Sequence, residues 1–234
     1  MQHFVSSGDL IADRRFEFAK DLEKRGDLAG AADLYAQAVE AAPGFASAWF
    51  ALGEVKARLG DDAAAIEAFR RALAAEPEDR HGATVQLARL TGEATPMPPG
   101  YVCALFDQYA RHYDLSLLEG LDYRGPQLLF DAVMDACDAV GRVPWFGRAL
   151  DLGCGTGLAA AVFAPRVDSL VGVDLSAAMV EEARRTGRYN QLHITDVSDF
   201  LARESTRSAS LVIAVDMLPY CSDLAPLVHL SRIG

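Results

Sequence analysis

A glycine-rich segment, RALDLGCGTG at residues 148–157, has the composition of a turn that binds a ligand through its main chain. An acid, Asp151, follows an apolar run, and Gly153, Gly155 and Gly157 then occupy alternate positions. Glycine adopts positive φ without steric cost and has no Cβ, so a ligand can approach the backbone closely. The segment therefore predicts a strand that opens into a cofactor-binding turn and continues into a helix.

Three further apolar runs follow this turn, and each reaches an aspartate near its C-terminal end. The runs are SLVGVDLS, LHITDV and LVIAVDML, and their acids are Asp174, Asp196 and Asp216. Counted from Asp151, successive acids are 23, 22 and 20 residues apart, which fits a repeated unit of strand, turn, helix and turn. Open α/β sheets bind ligands at the carboxyl ends of their strands. We therefore expect the four carboxylates to lie together at that edge.

Two classes of adenosine-containing ligand fit such an edge. Dinucleotide-binding turns follow G-x-G-x-x-G/A, in which the third small residue permits close helix packing. Leu158 occupies that position here, and neither Asp151 nor Asp196 belongs to the dinucleotide pattern. These differences disfavour a nicotinamide-dependent oxidoreductase.

The segment DLGCGTG, followed in order by VDLS, TDV and the aspartate of the fourth run, resembles the class I S-adenosylmethionine-dependent methyltransferases, whose first motif is E/D-x-G-x-G-x-G. The resemblance implies a Rossmann-like α/β domain with parallel strands in the order 3-2-1-4 and S-adenosyl-L-methionine as the cofactor. It also implies methyl transfer by in-line displacement. Activation then resides in the cofactor, while the protein aligns the nucleophile and excludes water.

The same resemblance gives individual residues a role. Asp174 would accept hydrogen bonds from both ribose hydroxyls, because a carboxylate offers two acceptor oxygens. Asp196 would accept from the adenine amino group, Asp151 would help to hold the methionine ammonium group, and Asp216 would lie beside the transferable methyl. The other expected cofactor contacts are Gly153, Cys154 and Gly155 at the methionine portion, and Leu175, Met179 and Val197 at the adenine ring. For each acid the alternative is that it caps the next helix.

The chain before residue 91 repeats itself with an offset of 34 residues, pairing Ala31 with Ala65 and Pro43 with Pro77. A 34-residue period of paired helices resembles the tetratricopeptide repeat. The second copy has the more complete signature, with Trp49, Leu52, Gly53, Ala65, Phe69, Ala72 and Pro77. The first copy has Arg15 in place of the tryptophan, which predicts a polar outer cap. The repeats are either a stabilising cap or a groove that docks a protein partner.

The segment FDQYARHYD, residues 106–114, resembles the lid of a methyltransferase subgroup that also carries tetratricopeptide repeats. The resemblance implies that Tyr109, Tyr113 and Arg124 meet the methionine carboxylate, with Arg124 supplying a guanidinium fork. The alternative is that the tyrosines pack in the interior and Arg124 forms a surface ion pair.

The sequence does not identify a catalytic residue. His112, Tyr113 and Tyr220 could accept a proton, but a lone histidine in a helix is more often structural, and a base is optional for methyl transfer. Cys154 lies in the predicted turn without a partner base, so no nucleophilic role is predicted. No spacing of metal ligands is present, and we predict no metal site.

The predicted organisation has three parts. They are a helical repeat domain over 1–90 (repeats at about 12–45 and 46–79 and a capping helix over 81–90), a proline-rich linker over 91–100, and a methyltransferase domain over 101–234. After LVIAVDMLPYC only SDLAPLVHLSRIG remains, enough for one helix opening at Ser222. Complete members of the resembled family have seven strands in the order 3-2-1-4-5-7-6. We therefore expect a chain without its last three strands, which is a fragment or is completed by a swapped partner.

Composition narrows the classes of partner. The formal charge of −11 and pI near 4.8 argue against a nucleic-acid surface, which draws its binding free energy from clustered Lys and Arg. No uncharged apolar run approaches the ~20 residues of a membrane span, so no membrane contact is expected. The four cysteines show no C-x-x-C pair and the chain begins without a signal pattern, which favours the cytoplasm.

Two functions stay open at this point. One is S-adenosylmethionine-dependent methyl transfer to an unidentified small-molecule or repeat-docked protein acceptor. The other is a repeat-based protein-interaction module whose methyltransferase part is vestigial.

Overall fold

The computed structural model describes residues 4–118, 120, 122–205 and 207–221. The chain divides into two compact units, Met1–Ala104 and Leu105–Gly234. The predicted linker, residues 91–100, precedes that division, and the predicted domain bounds stay predictions. The helix predicted to open at Ser222 lies outside the described residues.

The first unit is helical. Its helices are α1 Leu10–Lys24, α2 Leu28–Ala41, α3 Ala46–Arg58, α4 Asp62–Ala75 and α5 Ala83–Thr91. Helix α1 packs on α2, α3 on α4 and α5 on α4. Asp27 and Asp61, which the 34-residue offset aligns, both cap a helix: each side chain accepts a hydrogen bond from the backbone N–H three residues later. The predicted pairs of repeated helices are confirmed.

Small and aromatic residues fill the repeats as the pattern predicts. Tyr35 and Phe69, also aligned by the offset, are both buried. A Cβ added to Gly53 would lie 2.6 Å from the Phe69 ring, so α3 and α4 approach closely because this residue has no side chain. The first helix differs from the predicted polar outer cap, since Ile11 and Phe18 are 60% and 65% exposed.

Three helices follow the repeats and precede the first strand in sequence: α6 Pro99–Tyr109, α7 Tyr113–Leu118 and α8 Gly125–Ala139. Two details differ from expectation. Helix α6 begins at Pro99, inside the predicted linker, whose prolines disfavour a helix, because proline is tolerated in the first turn of a helix. The segment YVCALFDQYARHYDLSLL, residues 101–118, predicts a single helix, whereas a 3₁₀ turn, Ala110–His112, divides this segment between α6 and α7.

The second unit contains a parallel sheet of four strands in the order β3-β2-β1-β4, which confirms the predicted fold class. The strands are β1 Phe146–Leu152, β2 Val167–Asp174, β3 Gln191–Ile194 and β4 Leu211–Ile213. The helices between them are α9 Leu158–Phe163, α10 Ala177–Arg185 and α11 Val197–Leu201. No helix in the described residues is long and apolar enough to cross a membrane.

Strand β1 sits at the centre and is buried on both faces. Ala149 packs on one side in a cluster with Phe163, whereas Leu150 and Leu152 pack on the other side with Val173. Successive side chains of a strand point to opposite faces, and a parallel sheet is covered on both. The apolar sequence of β1 therefore reflects its central position.

The sequence predicts a helix with one apolar stripe formed by Leu128, Leu129, Ala132, Val133, Ala136, Cys137 and Val140. Helix α8 covers the Ala149 side of the sheet with a narrower face than this stripe. Leu129, Val133 and Cys137 join that cluster, but Leu128 and Val140 are 59% and 75% exposed. Ala132 and Ala136 of the stripe are exposed as well. The prediction was wrong for these four residues because Phe130 and Met134 pack against the cluster instead.

Candidate functional site

The glycine turn after β1 is tied to the end of β2. Gly153, Gly155 and Gly157 all have positive φ, at 69°, 52° and 94°. The amides of Gly153 and Cys154 both donate to the Val173 carbonyl, at 2.8 and 3.0 Å. A Cβ added to Gly153 would lie 2.5 Å from a side-chain carbon of Met217, whereas one added to Gly155 would meet only open space. Gly153 is thus required for packing, while Gly155 leaves its backbone accessible to a ligand.

Asp174, the last residue of β2, connects this turn to the next one. Its Oδ2 accepts a hydrogen bond from the Gly155 amide and its Oδ1 from the Ser176 amide, both at 2.9 Å. Burial raises the pKa of this carboxyl, and the backbone hydrogen bonds counteract that rise. Each oxygen of a carboxylate can accept a second hydrogen bond. The side chain therefore keeps acceptor capacity beside the accessible backbone of Gly155.

Asp151 lies within β1, and its carboxylate is almost completely enclosed at 1% exposure. Its Oδ2 accepts a hydrogen bond from the Tyr189 hydroxyl at 2.6 Å. Burial raises the pKa of Asp151 to about 6, with the Tyr189 hydrogen bond opposing the shift and Asp174 adding to it. The enclosed carboxylate presents little surface to a ligand, so its contact with an ammonium group stays a prediction.

Asp196 lies two residues beyond β3 and caps α11. Its Oδ1 accepts from the Ser198 amide at 2.7 Å, which is the capping arrangement that the sequence left as an alternative. Val197 is half-buried against the second core cluster of the sheet. Leu175 is half-buried, and Met179 is only 1% exposed. The adenine contacts predicted for these residues stay predictions.

Asp216 is not on a strand, because β4 ends at Ile213. It adopts a φ of +57°, and its Oδ2 accepts a hydrogen bond from the Tyr123 hydroxyl at 2.5 Å. An aspartate tolerates this left-handed conformation better than most residues. The predicted place of Asp216 beside the transferable methyl stays a prediction, and its hydrogen bond to Tyr123 was not predicted.

Aromatic side chains of the lid segment reach this cluster. The Phe106 ring packs edge-on against Tyr113 and Tyr220, with centroid separations of 6.0 and 5.1 Å. Burial raises the pKa of Tyr113, and the charges of Asp216 and Asp174 raise it further. Tyr113 therefore lies near two of the predicted site acids.

The other two predicted lid residues stand apart from the cluster. Tyr109 is 50% exposed and Arg124 is exposed. In the described part of the chain neither side chain makes a hydrogen bond, an ion pair or a ring contact. Their contact with a methionine carboxylate stays a prediction, and the surface ion pair considered for Arg124 is not found among the described residues.

Two acids of the lid segment make contacts that the sequence analysis missed. Asp107 Oδ1 accepts from the Ser176 hydroxyl at 2.5 Å and from the Ala178 amide at 3.2 Å. Asp114 Oδ1 accepts from the Thr156 hydroxyl at 2.5 Å. The two acids are seven residues apart within FDQYARHYD, a spacing that could have drawn attention to them. They attach the lid segment to the turns after β1 and β2.

The assembled site is acidic. Among the described residues, Asp114, Asp151, Asp174 and Asp216 form no ion pair with Lys or Arg. Such a site suits a cation and disfavours the pyrophosphate of a dinucleotide. Burial raises the pKa of the Cys154 thiol well above its ordinary value, so the thiol stays protonated and is a poor nucleophile. No group of three or more His, Cys, Asp or Glu that could hold a metal is found in the described residues.

Two family models match the chain. Residues 149–232 match a family described as a methyltransferase domain, and residues 16–80 match a tetratricopeptide repeat. Both matches confirm the resemblances drawn from the sequence. No curated protein matches the chain.

Several solved structures are similar to part of the chain. They include an S-adenosylmethionine-dependent methyltransferase from Clostridium acetobutylicum (28% identity, TM-score 0.34, covering 47% of this chain and 43% of that one). Magnesium protoporphyrin IX methyltransferase (ChlM) from Synechocystis with bound SAM has 26% identity and a TM-score of 0.35, covering 47% of this chain and 55% of that one. A DhpI complex with SAH has 22% identity and a TM-score of 0.34, covering 48% and 50%. The chain thus spans about half the length of each of these structures.

Proposed function

We propose that this chain, which contains a methyltransferase domain preceded by tetratricopeptide repeats, transfers the methyl group of S-adenosyl-L-methionine to a small molecule or to a protein docked on the repeats. The observation that carries the proposal is the acidic cluster around the accessible backbone of Gly155. Among the described residues, its carboxylates at Asp114, Asp151, Asp174 and Asp216 form no ion pair with Lys or Arg. A sulfonium and an ammonium group are both cations, so this cofactor complements the site. None of the four cysteines forms a disulfide, and we place the protein in the cytoplasm.

The residues present fit the cofactor. Asp174 has acceptor capacity left on both oxygens for the vicinal hydroxyls of a ribose. Gly155 has open space where a side chain would stand, so the methionine portion can approach its backbone. The Phe106 ring contacts Tyr113 and Tyr220, Tyr113 lies near Asp216, and aromatic faces attract cations. The second oxygen of Asp196 would serve the adenine amino group.

The bound cofactor would supply a methyl group that is already activated by its sulfonium. The chain then has to hold that group, align the acceptor and exclude water. Asp107 and Asp114 attach the lid segment to the two turns, which holds the aromatic residues over this edge of the sheet. We assign no proton acceptor.

The proposal is tested by titration calorimetry with S-adenosylhomocysteine and S-adenosylmethionine. We expect both to bind the wild-type chain, and the Asp174→Asn variant to lose affinity by about a hundredfold, because it loses a charged acceptor for two hydroxyls. The matched control is Asp135→Asn, an exposed carboxylate on α8, which should bind as the wild type does. Circular dichroism checks that each variant is folded.

Failure of the folded wild-type chain to bind either compound would contradict the proposal and favour a repeat-based interaction module. Equal affinities in Asp174→Asn and wild type would instead remove only the ribose assignment.

A further inference from the structure

Tyr189 lies in the loop between α10 and β3, and the residue after it fixes that loop to β2. The Asn190 side-chain oxygen accepts a hydrogen bond from the Leu170 amide, and the Asn190 amide donates to the Leu170 carbonyl, both at 2.8 Å. The main chain beside Tyr189 is therefore held at a defined place on β2. From there the Tyr189 side chain extends across β2 to β1.

A glycine of β2 makes room for this side chain. Gly172 is the residue of β2 that stands opposite Asp151 in the parallel register. A Cβ added to Gly172 would lie only 2.8 Å from the Tyr189 ring, and one added to Gly157 would lie 3.1 Å from it. The ring thus packs against both β2 and the glycine turn, and its hydroxyl reaches the Asp151 carboxylate at 2.6 Å.

The ionisable groups around Asp151 differ in their effect on its charge. In the described part of the chain, the Tyr189 hydroxyl favours the charged carboxylate, whereas burial and Asp174 oppose it. Cys154 keeps an uncharged thiol, because burial and the two carboxylates raise its pKa. Burial and the charge of Asp151 also raise the pKa of Tyr189, so the phenol keeps its proton and remains a donor. Loss of this hydroxyl would therefore leave a buried carboxylate beside a second acid without its donor.

We propose that Tyr189 is a positioning residue of the cofactor site, whose hydroxyl keeps the Asp151 carboxylate charged and fixed beside the glycine turn. This proposal rests on the proposed function, because the charge matters for binding only if the ligand is a cation. Charges interact more strongly in a protein interior than in water, so an enclosed but ionised Asp151 attracts the ammonium and sulfonium groups of the cofactor. Without the hydroxyl, the carboxylate takes up a proton at a higher pH and the site loses this attraction.

The contact itself is measured without a ligand, in chain labelled with ¹³C at the aspartate carboxyl carbons. NMR titration of the Asp151 resonance, which is assigned by its loss in Asp151→Asn, should give a midpoint at about pH 6 in the wild type. Tyr189→Phe keeps the ring and removes only the hydroxyl. We expect its midpoint to lie about one pH unit higher, because a hydrogen bond to a charged group is lost.

The matched control is Tyr35→Phe, in the repeats. It removes a buried hydroxyl that donates to the Glu23 carboxylate at 3.0 Å, and it should leave the midpoint of Asp151 at about pH 6. Circular dichroism checks that each variant is folded.

Titration calorimetry with S-adenosylhomocysteine measures the effect on binding. At pH 8.5 Asp151 is ionised in both proteins, so wild type and Tyr189→Phe should bind within about twofold of each other. At pH 6 about half of the wild-type carboxylates are ionised, against about a tenth in the variant, so the variant should bind about fivefold more weakly. In an Asp151→Asn background, removal of the Tyr189 hydroxyl should change the affinity at pH 6 by less than about twofold, because its acceptor carboxylate is gone.

The results distinguish this proposal from the proposed function. A wild-type chain that binds no S-adenosylhomocysteine at either pH would contradict the proposed function, and this proposal with it. Normal binding by the wild type together with an unchanged midpoint in Tyr189→Phe would overturn this proposal alone. A loss of affinity that is equal at the two pH values, or that persists in the Asp151→Asn background, would also overturn it, because Tyr189 would then act through packing alone.

Discussion

Asp151 and Asp174 are acids at neighbouring strand ends, but their surroundings differ. Asp174 accepts hydrogen bonds from the backbone amides of two turns, whereas Asp151 is buried and accepts one from the Tyr189 hydroxyl. The motif identified both acids because they follow apolar runs. It could not reveal Tyr189, which is 38 residues from Asp151 and meets it only through the sheet.

The raised pKa of Asp151 predicts a pH dependence of stability. Its pKa rises from 3.8 to about 6 on folding, so its stabilising contribution is present at low pH and is lost as the pH increases through about 6. Between about pH 5 and 7.5 the wild type should lose about 1 kcal/mol of unfolding free energy relative to Asp151→Asn. Urea unfolding of both proteins at the two pH values measures the difference. A constant difference would contradict this origin of the shift.

Alanine substitutions at two glycines of the turn should distinguish a role in packing from a role in cofactor binding. Gly153→Ala places a Cβ against Met217 at positive φ and should lower the free energy of unfolding by about 2 kcal/mol. Gly155→Ala meets open space, so it should cost only about 1 kcal/mol from backbone strain yet weaken S-adenosylhomocysteine binding about tenfold. Urea unfolding and calorimetry measure the two effects. Normal cofactor affinity in Gly155→Ala would mean that no ligand approaches this backbone.

At the scale of elements, the start of α10 depends on a serine with two contacts. Ser176 Oγ accepts from the Met179 amide at 3.1 Å as the helix cap and donates to Asp107 of α6. A serine that follows a strand and precedes a helix predicts such a cap from the sequence alone. Its contact with the lid segment depends on how α6 packs, which no local pattern specifies.

Ser176→Ala should therefore cost more than an ordinary surface change. Loss of the cap and of the hydrogen bond to Asp107 should lower the free energy of unfolding by about 1–2 kcal/mol. Ser116→Ala, an exposed serine of α7, is the control and should stay close to wild type. Chemical denaturation compares the two variants. Equal stability would show that the cap and its hydrogen bond to Asp107 contribute little.

At the scale of the whole molecule, the repeat unit and the sheet unit carry separate predictions. Gly53→Val would drive a side chain into the Phe69 ring and should destabilise the repeats by about 2 kcal/mol. No residue of the candidate site belongs to the repeats, so the affinity for S-adenosylhomocysteine should stay within about twofold of wild type. Thermal unfolding and calorimetry test the two parts. A parallel loss of cofactor affinity would show that the two units are energetically coupled.

The sequence by itself determined the order of elements, the parallel sheet and the repeats, because these depend on short-range periodicity. The alternating glycines, the acids at regular intervals and the 34-residue offset are all visible along the chain. Only the tertiary structure decided which side chains from distant segments reach the site. Their partners are 38 to 93 residues away in sequence for Tyr123, Tyr189, Asp107 and Asp114, and Val5 bonds to Ser47 of α3 across 42 residues. Such contacts follow from how packed elements are placed in space, which no local pattern encodes.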